Sequence, residues 1–191
     1  MILHRLSVSA WRNLVEEVSL GPFSERVNVI FGPNGTGKSS LFEALRRGIF
    51  DGHGLTGQAI AAVRPWGRDL SPQVVVEFSH GGNTYRLSKR FLSQPRALLE
   101  RLEGARFRPF REGRQADEFV RALFGGQAPG RGPSRPEHQG LFQVLWAPQR
   151  GLELGGVEGP AASTIREALS RDLSEAAGGP IDREIERRYR E

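Results

Sequence analysis

Cysteine is absent from this chain of 191 residues, so the protein forms no disulfide bond and has no thiolate metal ligand. Histidine is scarce, and His4, His53, His80 and His138 lie far apart without the spacing of a metal site. No apolar run approaches the length of a membrane span, and the N-terminus has no basic-then-apolar signal pattern. These absences favour a cytoplasmic protein.

Lysine is also rare: it occurs only at Lys38 and Lys89, and arginine supplies almost all of the positive charge. The formal net charge is +5 and the isoelectric point is near 10.6. A basic balance favours an anionic partner such as nucleic acid. An equally weighted interpretation is that a composition rich in arginine, glycine and alanine reflects genome base bias, with charges spread over a solvated surface. Charge alone therefore does not locate a binding face.

A glycine-rich segment at residues 32–40 is the most informative feature that is present. It has the spacing G-x-x-x-x-G-K-S and lies between the apolar run 27–31 and a predicted helix over residues 38–50. The apolar run predicts a central strand covered on both faces, with the loop leaving its carboxyl end. This context is typical of a nucleotide phosphate-binding loop and makes a ligand-free glycine turn the minor alternative.

The chemistry of phosphate binding explains the residue types in this loop. Glycine allows the backbone to approach an anion closely, and the first turn of the following helix offers unpaired N–H groups and a positive dipole end. Lys38 is expected to reach the β- and γ-phosphates as a point charge. The hydroxyl of Ser39 is expected to ligate Mg²⁺. ATP and Mg²⁺ are therefore the predicted ligands.

The remaining pattern predicts an α/β protein. Alternating apolar residues predict strands over residues 2–8 and 18–20, and a hairpin joins residues 73–78 to 84–88 through a glycine turn. A third strand through residues 90–92 and a short helix over residues 116–124 are also expected. Residues 125–140, rich in glycine, proline and arginine, predict an exposed loop.

The C-terminal third contains two features of interest. A strand-like apolar run over residues 141–146 ends shortly before Gln149, where an amide side chain could meet a metal-bound phosphate. Residues 181–191 form an almost wholly charged helical pattern after a glycine-proline break. We expect residues 1–178 to form one unit and residues 179–191 to begin a coiled-coil arm, although a solvated terminal helix is the alternative.

These motifs resemble a known family. The N-terminal strand, the segment Trp11-Arg12-Asn13-Leu14 and the loop with Asn34 look like the N-terminal half of ATPase heads of the SMC, SbcC, RecF and RecN superfamily. The resemblance implies a P-loop NTPase fold of the ABC-type head, with a mixed sheet, an antiparallel β subregion and the start of a coiled-coil helix. The long interval between Lys38 and Gln149 is similar to that of heads with long coiled coils.

The resemblance also implies roles for residues at matching positions. Lys38 and Gln149 would be catalytic, Ser39 and Gln149 would contact Mg²⁺, and Arg12 would reach the nucleotide phosphates. The nucleotide-binding set implied is Arg12, Asn13, Gly32, Pro33, Asn34, Gly35, Thr36, Gly37, Lys38, Ser39 and Ser40.

Two family motifs are missing: an apolar strand ending in Asp-Glu and a serine-glycine-glycine signature. In such heads both lie beyond the coiled coil. The sequence therefore looks like half a head, with partners that include the C-terminal half, a second head as homodimer, double-stranded DNA and a nuclease or accessory subunit. The resemblance implies a nucleoid-associated ATPase in chromosome organisation, DNA repair or defence against plasmids and phage.

Two other functions remain open. A small P-loop kinase fits the motif context poorly. A non-catalytic DNA- or protein-binding module would keep the loop only as a regulatory nucleotide site and would use a basic surface. Its candidate residues are Arg86, Lys89, Arg90, Arg96, Arg101, Arg106, Arg108, Arg111 and Arg114.

Overall fold

The fold is a six-stranded sheet with helices packed on one face, as given by a computed structural model that describes residues 1–128, 132–140 and 142. The strands are β1 Ile2–Ser9, β2 Val18–Leu20, β3 Gln73–His80, β4 Asn83–Arg90, β5 Arg96–Glu103 and β6 Arg106–Glu112. The helices are α1 Lys38–Phe50, α2 Gln58–Ala61 and α3 Gly113–Leu123, followed by a single 3-10 turn at Pro136–His138.

The sheet has the strand order β2-β1-β3-β4-β5-β6, and every pairing between these strands is antiparallel. The α/β class and the antiparallel region predicted from the sequence are confirmed. Within the described residues the sheet is antiparallel throughout. A bulge in β1 places Leu3, rather than His4, opposite the inward-facing Phe78.

The two faces of the sheet differ because side chains alternate along each strand. On one face, Val76, Leu87 and Leu99 are fully buried beneath α1 and α3. On the other face, a row of alternating charges crosses four strands through Arg5, Glu77, Arg86 and Glu100, which are direct cross-strand neighbours. Opposite charges at such positions stabilise strand pairing, so the sequence specifies which face is buried.

Several predicted elements are confirmed. Helix α1 has the predicted bounds, β2 is present, and the hairpin of β3 and β4 turns at Gly81 and Gly82. The expected third strand through residues 90–92 is wrong, because β4 continues to Arg90 and the next strand begins at Arg96. β6 was not predicted, since Phe107 and Phe110 lie three positions apart instead of two and arginines separate them from other apolar residues.

The predicted central strand over residues 27–31 is wrong in the described structure. The side chains of Val27, Val29 and Phe31 are 85%, 77% and 90% exposed, and the segment belongs to no strand. A strand needs a neighbouring backbone for its hydrogen bonds, and β2 and β3 already pair with the two edges of β1. The apolar run therefore lies on the surface without a partner among the residues described.

The expected strand-like run 141–146, Gln149 and the charged helix 181–191 lie outside the described residues, apart from Phe142. Phe142 packs against Phe124 and Phe50, with ring centroids 4.9 and 5.7 Å apart.

Candidate functional site

The loop at residues 32–37 leads directly into the N-terminus of α1, as predicted. Gly37 precedes the helix in the left-handed conformation, with φ of 96°, and no side chain of the described residues caps the helix. The first turn also contains no acidic residue. The N–H groups of this turn and the positive end of the helix dipole therefore remain directed at the loop, an arrangement that favours a bound anion.

Gly37 is required by close packing as well as by its conformation. A Cβ atom at this position would lie 2.5 Å from Cδ2 of Leu14, well inside van der Waals contact. Leu14 is buried in the turn that follows β1. The phosphate loop is thus packed directly on that turn, and no larger residue fits at the junction.

Lys38 is the cation of the loop. Its ammonium group donates to the backbone carbonyls of Gly32 and Pro33, each at 2.8 Å. The hydroxyl of Thr36 donates to the same Pro33 carbonyl at 2.9 Å. Lys38 and Thr36 therefore hold the loop in a closed curl, with the positive charge at its centre.

Asn13 fastens the loop to the rest of the fold. Its amide nitrogen donates to the carbonyl of Gly35 at 2.7 Å, and its amide oxygen accepts from the hydroxyl of Ser40 at 2.9 Å. Ser40 is buried. Asn13 and Ser40 were both predicted to bind nucleotide. In the structure they form a hydrogen bond to each other, and Asn13 holds the loop through Gly35.

Arg12 pairs with Glu43 of α1. Its Nε and Nη2 donate to the two carboxylate oxygens at 2.5 and 3.1 Å. The hydrogen bonds that Arg12 donates to Glu43 raise the pKa of Arg12. Burial opposes ionisation of Glu43, but the hydrogen bond and charge of Arg12 outweigh burial, and the pKa of Glu43 lies below its ordinary value. Arg12 is therefore engaged on the side of α1, close to the loop.

Ser39 lines a cavity of about 1050 Å³. Its side chain makes no hydrogen bond to another described residue, and its hydroxyl is a hard oxygen donor of the kind that Mg²⁺ prefers. Lys38 lines the same cavity, whose apolar wall includes Ile30, Phe42 and Phe23. The helix N-terminus, the free hydroxyl and the lysine fit a Mg²⁺-nucleotide phosphate. Gln149, the other predicted Mg²⁺ contact, lies outside the described residues.

A buried charged network at the C-terminal end of α1 was not predicted from the sequence. The ammonium of Lys89 lies 2.8 Å from Asp117 of α3 and donates to the carbonyl of Asp51 at 2.7 Å. Asp117 also accepts from the backbone N–H of His53 at 3.0 Å. Asp51, at the end of α1, accepts from Arg47 at 2.8 Å. The network ties the phosphate-loop helix to β4 and α3.

Lys89 was assigned to a basic surface, and that assignment is wrong because its side chain is fully buried. Burial lowers the pKa of Lys89, whereas the charge of Asp117 acts in the opposite direction. Burial would raise the pKa of Asp117, but Lys89 and His53 hold it below its ordinary value. The alternation of Tyr85, Leu87 and Lys89 on one side of β4 was the signal in the sequence that Lys89 faces the core.

Comparison with known families places this geometry in context. Residues 5–125 match the model of an AAA domain (AAA_23). The match covers β1, the phosphate loop, α1 and the sheet through β6 and α3. Among the described residues, no helix is long and apolar enough to cross a membrane.

Curated relatives share parts of the sequence. The chain is 53% identical over 45 residues to the DNA replication and repair protein RecF of Azotobacter vinelandii, which covers 24% of this chain and 12% of RecF. It is 41% identical over 63 residues to the DNA double-strand break repair Rad50 ATPase of Thermoplasma acidophilum, covering 33% of this chain and 7% of Rad50. An uncharacterized protein of Mycobacterium tuberculosis H37Rv is 29% identical over 181 residues, covering 93% of this chain and 18% of that protein.

Among solved structures, the SMC head domain from Thermotoga maritima aligns with a TM-score of 0.43 and 22% identity, covering 66% of this chain and 43% of that chain. The chain spans only 7% to 18% of the length of the curated relatives described above.

Proposed function

This chain belongs to the AAA domain family, and we propose that it is the ATP-binding N-terminal part of an SMC-like ATPase that acts on DNA. The predicted resemblance to SMC- and RecF-like P-loop ATPase heads is confirmed. The observation that carries the proposal is the uncapped N-terminus of α1, where Lys38 lies at the centre of the loop.

The chain's own residues would perform three tasks in nucleotide binding. The N–H groups at the start of α1 would bind the β-phosphate, and Lys38 would exchange its carbonyl partners for the β- and γ-phosphates. Ser39 would ligate Mg²⁺, together with Gln149. When bound, Mg²⁺ neutralises charge that develops on the phosphate oxygens. Asn13 would keep the loop in register through Gly35.

We propose that the first partner is the C-terminal half of the same head. The exposed apolar segment 27–31 supports this proposal, because valine and phenylalanine are typical of buried strands and Val27, Val29 and Phe31 are here 85%, 77% and 90% exposed. The cavity beside Ser39 has an apolar wall that continues to Ile30 of this segment. A strand added next to residues 27–31 would bury these side chains.

Hydrolysis by the complete protein would need groups that this sequence lacks. The resemblance assigns the general base and the signature motif to the C-terminal half, so this chain alone is expected to bind ATP with little turnover. In the complete protein, two heads would bind ATP between them as a homodimer, and separation after hydrolysis would move coiled coils and DNA. We propose a cytoplasmic, nucleoid-associated protein of chromosome organisation, DNA repair or defence, with a nuclease or accessory subunit as a further partner.

Nucleotide titration with matched variants tests the proposal. Lys38→Ala removes the phosphate cation and should abolish binding of Mg²⁺-ATP, since charged hydrogen bonds to phosphate are among the strongest contacts available. Ser39→Ala should weaken binding in Mg²⁺ but leave binding in EDTA unchanged. Arg108→Ala, which removes an exposed arginine of β6 outside the cavity that Ser39 lines, is the matched control. Equal affinity of the Lys38→Ala variant and the wild-type chain would overturn the proposal.

A second candidate is a nucleotide-regulated DNA-binding module that does not hydrolyse ATP. The exposed arginines of β6 and its neighbours favour it, because Arg96, Arg108 and Arg114 have side chains that are 64%, 68% and 86% exposed. Phosphate contacts would make affinity for double-stranded DNA fall steeply with salt. Weak binding that is insensitive to salt would count against this module.

A further inference from the structure

Of the two tryptophans that the structure describes, Trp66 is exposed to solvent. Trp66 is 97% exposed, whereas Trp11 is completely buried in the core. An indole combines a large apolar face with an N–H donor, and tryptophan is for that reason enriched at binding interfaces. Trp66 has no packing role in the described structure that would account for its position.

The backbone presents Trp66 on a defined turn. The N–H of Arg68 donates to the carbonyl of Pro65 at 3.2 Å, and Gly67 has φ of 70°, the value that the third position of a type II turn requires. Arg64 and Asp69 form an ion pair of 2.7 Å across the base of the loop. The turn therefore holds the backbone of Trp66 in a defined conformation with the indole exposed to solvent.

The turn is also attached to the nucleotide site. The N–H of Arg12 donates to the carbonyl of Val63 at 2.6 Å. Arg12 and Asn13 line one side of a cleft of about 1010 Å³, and the loop with Trp66 lines the other side. The same Asn13 bonds to Gly35 of the phosphate loop. Trp66 thus lines a cleft with Asn13, which in turn contacts the phosphate loop.

The charge of the cleft is positive. Its lining includes Arg12, Arg64 and Arg68, against one carboxylate, Asp69. Arg12 is paired with Glu43 and Arg64 with Asp69. In the part of the chain that the structure describes, Arg68 has no carboxylate partner. An exposed aromatic face beside an unpaired guanidinium is complementary to a flat ring attached to a phosphate.

We propose that this cleft binds single-stranded nucleic acid, with an unstacked base on the indole of Trp66 and an adjoining phosphate on Arg68. Stacking of bases on aromatic side chains, together with cationic contacts to the backbone, is the physical basis of binding to single strands. A duplex offers its base faces only at its ends, so the interior of a duplex does not fit. The proposal does not depend on ATP binding, since no atom of the loop at residues 32–37 takes part.

Fluorescence anisotropy tests the proposal with the full chain, without nucleotide. The probes are a labelled oligothymidine of about 15 nucleotides and a blunt duplex of the same length. The wild-type chain should bind the oligothymidine more tightly than the duplex. Trp66→Ala should lower the affinity for the oligothymidine about tenfold or more, whereas Trp66→Phe should retain most of it. Arg68→Gln should reduce the salt slope by about 0.7. Arg108→Gln, which removes an exposed charge from β6, should change neither the affinity nor the salt slope.

Each alternative outcome is decisive. Equal affinity of wild type and Trp66→Ala for the oligothymidine, or no binding by the wild type, overturns the proposal. A loss with Arg108→Gln and not with Arg68→Gln would assign the strand to the β6 surface instead. Titration with Mg²⁺-ATP tests whether the indole of Trp66 stacks on the adenine of ATP instead. If Trp66→Ala weakens ATP binding as much as oligothymidine binding, the indole binds adenine and the proposal is wrong. Loss of ATP binding in Lys38→Ala with oligothymidine binding intact would show that the two sites are independent.

Discussion

The side-chain amide of Asn13 bonds to the carbonyl of Gly35 at 2.7 Å, and this contact joins the turn after β1 to the phosphate loop. Because Asn13 also accepts from the buried Ser40, one side chain fixes both the loop and the start of α1. The spatial order of the loop therefore depends on a residue that lies far from it in the sequence. The family resemblance assigns Asn13 to the nucleotide site. Its contacts indicate that it positions the loop that we propose binds phosphate.

Replacing Asn13 should weaken nucleotide binding more than it weakens the fold. Asn13→Ala removes two hydrogen bonds, each worth about 0.5–1.5 kcal/mol, from an exposed loop. We expect the affinity for Mg²⁺-ATP to fall about tenfold, the equivalent of 1.4 kcal/mol, by titration calorimetry. Asn13→Asp keeps the acceptor for Ser40 but loses the donor to Gly35, so its affinity for Mg²⁺-ATP should lie between those of the wild type and Asn13→Ala. Full affinity in Asn13→Ala would contradict this role.

The contact between Lys89 and Asp117 predicts a strong non-additive effect on stability. Lys89→Met leaves the buried Asp117 carboxylate without its cation and should lower the free energy of unfolding by about 3–5 kcal/mol. Lys89→Met combined with Asp117→Leu removes both charges and should recover much of this loss. Urea unfolding of the wild type, the two single variants and the double variant completes the cycle. Additive losses would show that the two side chains do not interact.

Glu43 predicts a loss of stability in acid. Its pKa in the folded protein lies below its ordinary value, so its contribution is complete above the unfolded pKa of about 4.3 and is lost as the pH falls through the folded pKa. The Arg12 side chain is 49% exposed, which limits the contribution to about 1 kcal/mol or less after solvent screening. Glu43→Gln should therefore be destabilised at neutral pH and should show a shallower loss of stability below about pH 4.5.

The matched control is Glu118→Gln, which removes a carboxylate from the exposed pair with Arg114. It should change stability by no more than about 0.5 kcal/mol. Urea unfolding midpoints measured in steps between about pH 7 and 3 make the comparison. An identical pH profile for Glu43→Gln and the wild type would remove Glu43 from the account.

A substitution in residues 27–31 should leave the stability of the isolated chain unchanged but weaken its association with the proposed C-terminal half of the head. Phe31→Ser should leave the melting temperature of this chain unchanged, because the side chain is 90% exposed. The core variant Phe78→Ala, by contrast, should cost about 3–5 kcal/mol. In a co-purification of this chain with the C-terminal half of its head, Phe31→Ser should reduce recovery. Unchanged recovery would mean that this segment is not the docking edge.

Local patterns predicted much of this structure. The bounds of α1, the hairpin of β3 and β4 and the position of the phosphate loop follow from periodicity and glycine spacing within short windows. The surface placement of residues 27–31 could not be predicted in that way, because burial of an apolar strand depends on neighbours distant in sequence. β6 was missed for a related reason: its edge position tolerates arginine on both faces.

The candidate site divides in the same manner. Lys38 and Ser39 were identified by motif, since the chemistry of phosphate requires their spacing. The network of Lys89, Asp117 and Asp51 joins three elements, and only the β4 alternation indicated any part of it. The pairing of Arg12 with Glu43 spans 31 residues, and the two charges have no regular spacing that would predict it.

Binding and turnover of ATP by this chain alone test the central claim most directly. The measurement is equilibrium binding of Mg²⁺-ATP followed by phosphate release at saturation, for the wild type beside Lys38→Ala, with and without duplex DNA. The account predicts binding that Lys38→Ala abolishes and negligible phosphate release from both. Robust release that depends on Lys38 would mean that this chain contains its own general base, and it would contradict the assignment of this chain as the N-terminal part of a head.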